Sequence, residues 1–213
     1  CWILKCDIKK FFASIDQGIL LKILRQYIPN DGVFLLLGEV IRSFWSTAPG
    51  KGLPLGNLTS QLLVNIYMNE FDQFIKHRLK AKYYIRYADD FVVFSENKER
   101  LENLIHQIRA FLNDKLLLTL HPDKVFIKTL ASGIDFLGWV HFPDHRVLRA
   151  STKKRMMKRM ALSKTQQTVR SYFGLLQYGN TRKIQSKIFK EKPRQEIQCE
   201  KYAEIQKCVV DLP

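Results

Sequence analysis

Apolar residues return along this chain at two spacings. Residues 2–7, Trp-Ile-Leu-Lys-Cys-Asp, form a short apolar run that predicts a strand ending at an acid, with Trp2, Leu4 and Cys6 on one face. Helical spacing takes over at Leu20, Leu21, Leu24 and Ile28, with Asp16 as the expected N-cap. Pro29-Asn30-Asp31-Gly32 breaks that helix, and residues 33–45 predict a second, largely apolar one. Residues 49–57 are dense in Pro and Gly and predict a loop. Thr59 or Ser60 is the expected cap of the next helix, whose stripe is Leu62, Leu63, Ile66, Tyr67, Phe71, Phe74 and Ile75. Two β-branched and aromatic runs then flank Tyr87-Ala88-Asp89-Asp90, the pattern of a hairpin. Leu101, Leu104, Ile105, Ile108, Phe111 and Leu112 mark a further amphipathic helix. Residues 116–120 and 125–127 are short apolar segments on either side of His121-Pro122-Asp123-Lys124, and residues 133–140 predict a second hairpin or tight turn. Up to residue 149 this order suits an antiparallel sheet with helices on one face, an α+β layout.

Composition adds direction. The chain has 213 residues, 46% of them hydrophobic, enough for one good core or one domain with a small appendage. Its formal net charge of +15 favours polyanions as partners. Fifteen Lys or Arg lie between Arg146 and Arg194 against one acid, Glu191, so nearly all of the excess is local. Three segments are therefore expected: residues 1–148, a basic helical stretch over 149–192, and a tail or helix over 193–213. No apolar run is long enough for a membrane span, so no membrane partner is expected. The chain opens on Cys1 without Met or a signal-peptide pattern, as expected of a piece whose N-terminal part lies elsewhere. Cys1, Cys6, Cys199 and Cys208 form no C-x-x-C pair, which fits a reducing, cytoplasmic setting.

Asp89 and Asp90 are poor strand formers and repel each other. Either they form a solvated turn, or a cation sits there, with a divalent metal as the usual candidate. If the hairpin lies beside the first strand, Asp7 joins them at one sheet edge. Hard oxygen donors without His or Cys suit Mg²⁺ or Mn²⁺ rather than zinc. Two such ions about 3.5–4 Å apart can activate an attacking hydroxyl and stabilise a leaving phosphate oxygen.

Five motifs in succession then resemble those of reverse transcriptases. They are Asp7-Ile8-Lys9-Lys10-Phe11-Phe12, Gly52-Leu53-Pro54-Leu55-Gly56, Tyr87-Ala88-Asp89-Asp90, Lys124, and Phe136-Leu137-Gly138. The match covers residues 1–140 and continues more loosely through Ser171-Tyr172-Phe173-Gly174 and Gly179-Asn180-Thr181. The resemblance implies a right-hand polymerase palm followed by a basic helical thumb. The family's fingers, which precede the first palm strand, are not covered, and the chain alone is expected to be poorly active. It also implies two Mg²⁺ ions, with Mn²⁺ as the alternative, on Asp7, Asp89 and Asp90, with the Ile8 carbonyl as an extra donor. Phe12 falls at the sugar-gate position, where a ring against C2′ would exclude ribonucleotides; core packing is the plainer role. Leu55, Gly56 and Gln61 would line the nucleotide site. Lys124 would protonate the leaving pyrophosphate, with a plain surface lysine as the alternative, and Phe136, Leu137 and Gly138 would be the primer grip. Lys153, Lys154, Arg155, Lys158 and Arg159 would track phosphates, with Met156, Met157, Met160 and Leu162 as the helix's apolar side. The implied partners are an RNA template, a DNA or RNA primer and deoxynucleoside triphosphates.

Two departures narrow the resemblance. Many family members have Gln where this chain has Leu55, and Ser-Pro where it has Ser60-Gln61. The string Leu53-Pro54-Leu55-Gly56-Asn57-Leu58-Thr59-Ser60-Gln61 is similar to that of diversity-generating retroelement enzymes, which copy a template-repeat RNA with frequent errors at adenine. That subclass would add a small basic accessory protein. A group II intron or retron-type enzyme is the alternative within the family. A non-catalytic RNA-binding or antiviral module is the alternative outside it, and the intact acids Asp7, Asp89 and Asp90 argue against that.

Overall fold

β1 (Trp2–Asp7) sits inside a four-stranded antiparallel sheet, flanked by β3 (Asp90–Ser95) and β4 (Phe126–Thr129), with β2 (Tyr83–Tyr87) at the far edge beyond β3. The computed structural model describes residues 1–162 and 165–189. They fall into two compact units, Cys1–Phe136 and Leu137–Pro213.

In the first unit the strand register decides what each face carries. Leu4 and Cys6 pair with Val93 and Phe91, and all four are buried against helices. Those helices are α2 (Gln17–Tyr27), α4 (Leu58–Gln73) and α5 (Lys98–Leu116), which supply Leu20, Leu24, Tyr67, Phe71, Leu104 and Ile108 to the same core. The opposite face holds a smaller cluster of Ile3 and Val92 against Ile134 and Phe136 of β5 (Ile134–Phe136). The expected α+β layout is present, as is the hairpin beside the first strand.

Several local expectations are corrected. A four-residue turn of helix, α1 (Phe11–Ser14), precedes α2 and was not foreseen. The helix expected over 33–45 is α3 (Asp31–Arg42): Asn30 accepts from the Val33 N–H and caps it, and Trp45 lies beyond its end. Neither Thr59 nor Ser60 caps α4. Asn57 holds the extended backbone a cap requires, and Ser60 is buried inside the helix. The buried stripe of α4 runs through Leu63, Val64, Tyr67, Met68 and Phe71, which turns Leu62 to the exterior. After Gln73 the helix widens into a π-helical turn, Phe74–Arg78.

In the second unit, β6 (Trp139–His141) and β7 (Arg146–Leu148) pair antiparallel. Three helices follow: α6 (Ala150–Leu162), α7 (Gln166–Leu176) and α8 (Arg182–Phe189). Trp139, Leu148, Met156, Met160 and Leu176 form the core. Leu162, expected on the apolar side of α6, is exposed, because the buried positions are the i, i+4 pair Met156 and Met160. Gly179 is required where it stands: a Cβ there would lie 2.2 Å from the Trp139 ring. The tail reading of residues 193–213 lies outside the described residues. No helix among the described residues is long and apolar enough to cross a membrane.

Candidate active site

The register that builds the sheet also builds the site. Asp7 is the last residue of β1 and stands directly opposite Asp90, the first residue of β3. Their side chains share a face, because cross-strand partners do. Asp89 lies in the turn immediately before, next to Ala88, whose φ of 52° reverses the chain in two residues.

Behind that turn stands a clamp that sequence reasoning missed. The Arg86 guanidinium donates to both carboxylate oxygens of Asp72 on α4, at 2.8 and 2.6 Å, and to the Ala88 carbonyl at 3.1 Å. Tyr84 adds a hydroxyl donation to Asp72 at 2.7 Å. Burial pulls the Arg86 charge down, but the hydrogen bonds and charge of Asp72 outweigh it and the guanidinium is held charged. Burial, with the Asp72 charge adding to it, keeps the Tyr84 phenol protonated.

A second arm reaches the site from the far side of β1. Past Asp7 the chain pairs with the segment after α5: Ile8 bridges Leu120, Lys9 N–H donates to the Thr119 carbonyl, and His121 N–H donates to the Asp7 carbonyl. This delivers the 3₁₀ turn Pro122–Lys124, and Lys124 Nζ lies 3.0 Å from Asp7 Oδ2. Lys124 thus pairs with Asp7 while its side chain stays half exposed. Lys5, two residues before Asp7 on the same face, lies 3.2 Å from Asp90 Oδ2. It was overlooked, although a lone lysine inside an apolar strand at an even offset from Asp7 was the signal.

The third part is the loop before α4. Buried Gln17 donates its side-chain amide to the carbonyls of Phe44 and Gly52. Gly52 N–H donates to the Ile15 carbonyl and Leu53 N–H to the Phe12 carbonyl at 2.9 Å. The tie at Gly52 admits no side chain, since φ is +96° and a Cβ would meet Ser46 Oγ at 2.4 Å. Leu53-Pro54-Leu55-Gly56 is thus fastened beside Phe12. Phe11 is buried, while Phe12 packs partly against the core edge-on to Phe11. Leu55, Gly56 and Gln61 are exposed. Ile8 is buried, so only its backbone could serve a ligand.

Phe136 is buried with Ile3 and Val92, whereas Leu137 is exposed at φ 53° and Gly138 follows at φ 84°, a tight turn as expected. On α6, Lys153, Lys154, Arg155, Lys158 and Arg159 are all exposed.

Electrostatics mark the acids as strained. Burial raises the Asp89 pKa against the pull of a backbone hydrogen bond, the Asp7 charge raises it further, and the Lys124 charge opposes this. Burial likewise raises that of Asp90; Lys5 opposes this, and Asp7 and Asp89 add to it. Asp90 Oδ1 is buried and without a hydrogen-bond partner among the described residues. Oxygen-only donors, an orphaned carboxylate oxygen and mutually repelling acids fit a hard divalent cation. No ready cluster of three or more His, Cys, Asp or Glu occurs among the described residues. Lys124 and Lys5 already lie on Asp7 and Asp90.

Comparison with known proteins gives the family and the fold. Residues 1–141 match the family described as reverse transcriptase (RNA-dependent DNA polymerase). Protein YkfC of Escherichia coli (strain K12) is 27% identical over 189 residues, covering 71% of this chain and 48% of that protein. The group II intron-encoded protein LtrA of Lactococcus lactis subsp. cremoris is 25% identical, covering 74% and 37%. The chain thus spans less than half the length of these relatives. The structure of telomerase from Candida albicans with a fragment of telomeric RNA superposes with a TM-score of 0.55 at 16% identity, over 70% of this chain and 31% of that one. That likeness supports the right-hand polymerase fold. The family match spans the strand ending at Asp7, the turn at Asp89 and the lysine that pairs with Asp7, and the chain belongs to the reverse transcriptase family.

Proposed function

We propose that this chain carries the nucleotidyl-transfer centre of an RNA-templated DNA polymerase. The observation that carries the proposal is the register pair Asp7–Asp90, with Asp89 in the adjoining turn and Lys124 on Asp7. Asp7 and Asp89 would be the principal holders of two Mg²⁺ ions, or Mn²⁺, with Asp90 and the Ile8 carbonyl in support; members of the family are generally Mg²⁺-dependent. Bound there, the ions would activate the primer 3′-hydroxyl and stabilise the pyrophosphate. Phe12, held beside residues 53–56, would pack on the sugar and exclude a 2′-hydroxyl. Lys124 would hand a proton to the leaving pyrophosphate. Phe136, Leu137 and Gly138 would hold the primer end. Residues 1–148 would be the palm. The exposed cations of α6, within a thumb over 149–192, would follow the hybrid's phosphates.

The string from Leu53 to Gln61 supports the finer reading, error-prone copying of a template-repeat RNA in a diversity-generating retroelement with a small basic accessory protein. The similarity to LtrA favours a second reading, a group II intron enzyme. The test is single-nucleotide extension of a primer on an RNA template, by the chain alone and with fingers supplied from a relative. Mg²⁺-dependent, template-directed addition that Asp89→Asn abolishes is expected, weak in the first case and strong in the second. Addition without template, or none in either case, overturns the proposal.

A further inference from the structure

Lys5 is embedded where three strands meet. Its side chain is 13% exposed, and its ammonium lies 3.2 Å from Asp90 Oδ2 on β3. The same ammonium donates to the carbonyl of Asp135 on β5 and lies 5.8 Å from the centre of the Phe136 ring. Lys5 and Asp7 share a face of β1, so this charge sits beside the acids without reaching out to solvent as a snorkelling lysine would.

We propose that Lys5 is a positioning residue that offsets the charge of Asp90 and fastens it to β5, so that divalent cations are held mainly by Asp7 and Asp89 with Asp90 in support. The inference rests on the nucleotidyl-transfer reading. Three unopposed carboxylates would bind a divalent cation tightly and share it among several arrangements. One internal ammonium removes a third of that charge at fixed geometry, so ions can exchange with each incoming nucleotide. Lys124 does not duplicate this role: its side chain is 53% exposed on a 3₁₀ turn, and it can swing away when a cation arrives.

The test is Mn²⁺ binding, read from the electron paramagnetic resonance of free Mn²⁺ without nucleotide or nucleic acid. Lys5→Met keeps the length and apolar stem and removes the charge. At the effective dielectric of such a site, losing one neighbouring positive charge should tighten Mn²⁺ binding about tenfold. Lys5→Arg should stay near the parent affinity. Melting temperature with and without Mn²⁺ should show a larger gain for Lys5→Met than for the parent. A folded Lys5→Met protein with equal or weaker Mn²⁺ binding overturns the inference. Should that variant not fold, Asp90→Asn leaves Lys5 unopposed and should weaken Mn²⁺ binding about tenfold; unchanged affinity there also overturns it. If the parent binds no Mn²⁺, or Asp89→Asn binds as well as the parent, the metal-site reading falls and this inference with it. If only the Lys5 and Asp90 variants match the parent, the site stands and the inference alone falls.

Discussion

Arg86 grips Asp72 with two parallel hydrogen bonds, Nε to Oδ1 at 2.8 Å and Nη2 to Oδ2 at 2.6 Å, and so joins the strand before the acidic turn to α4. Because Arg86 also donates to the Ala88 carbonyl, the turn is held from behind by a pair that is itself largely buried. A lysine keeps the charge but cannot reproduce the fork. Arg86→Lys should therefore cost about 1–3 kcal/mol in urea unfolding. Arg86→Ala should cost more, since it strands the Asp72 carboxylate.

Asp89 and Asp90 lead to a prediction about pH. Burial is the larger cause of their raised pKa values, and repulsion from neighbouring carboxylates adds to it. Each acid thus binds its proton more tightly in the folded chain than in the unfolded one. The stability this contributes is present in acid below the ordinary carboxylate range, and it is lost as pH rises through the raised values. At neutral pH without divalent cations, Asp89→Asn should raise the melting temperature by about 2–4 °C, for a gain of about 1 kcal/mol. The gain should vanish in acid. Scanning calorimetry across pH checks this, and a lower melting temperature at neutral pH would contradict it.

Phe12 is partly buried and edge-on to Phe11, so its ring has both a packing role and a free side. Phe12→Ala should relax discrimination against ribonucleotides on the order of 100-fold. Competitive incorporation of matched ribo- and deoxynucleotides measures this. If only stability changes, the ring is a packing residue.

Leu55 is 77% exposed in the fastened loop and offers no hydrogen bond to a nascent base pair. Leu55→Gln should reduce misincorporation opposite template adenine, because an amide there can bond the nucleotide. Sequencing of primer-extension products decides it, and an unaltered error spectrum counts against the role.

The cations of α6 are on its exposed side. Replacing Lys154 and Lys158 by Gln should weaken RNA–DNA hybrid binding regardless of sequence. It should also flatten the salt dependence by about one unit of log–log slope per lost phosphate contact. A fluorescence anisotropy titration at several salt concentrations gives both quantities.

Much of the fold was legible because alternation and helical spacing are properties of short stretches. The strand ending at Asp7, the hairpin and the helix through Leu101 and Ile108 needed no distant information. What could not be read is what depends on pairing. Asp72 and Arg86 lie 14 residues apart on different elements, and only packing of α4 on the sheet joins them. The role of Lys5 depends on Asp90 of β3 and the Asp135 carbonyl of β5, which only the folded chain brings to it. Asn57 displaced Thr59 and Ser60 as the cap because backbone geometry, not residue type alone, selects the cap. Residues 33–45 predicted a largely apolar helix, yet α3 leaves Val33, Leu36 and Val40 exposed.

The pairing of Asp7 with Asp90 makes the distance between those acids a matter of counting. A single residue inserted into or deleted from β1 between Trp2 and Asp7 would not stretch the site by one step. It would turn Asp7 to the helix side of the sheet while Asp90 stayed where it is. The chemistry of this chain is therefore encoded in the lengths of two strands as firmly as in the identities of the acids. A change in strand length keeps Asp7 and Asp90 on one face only when it comes in steps of two.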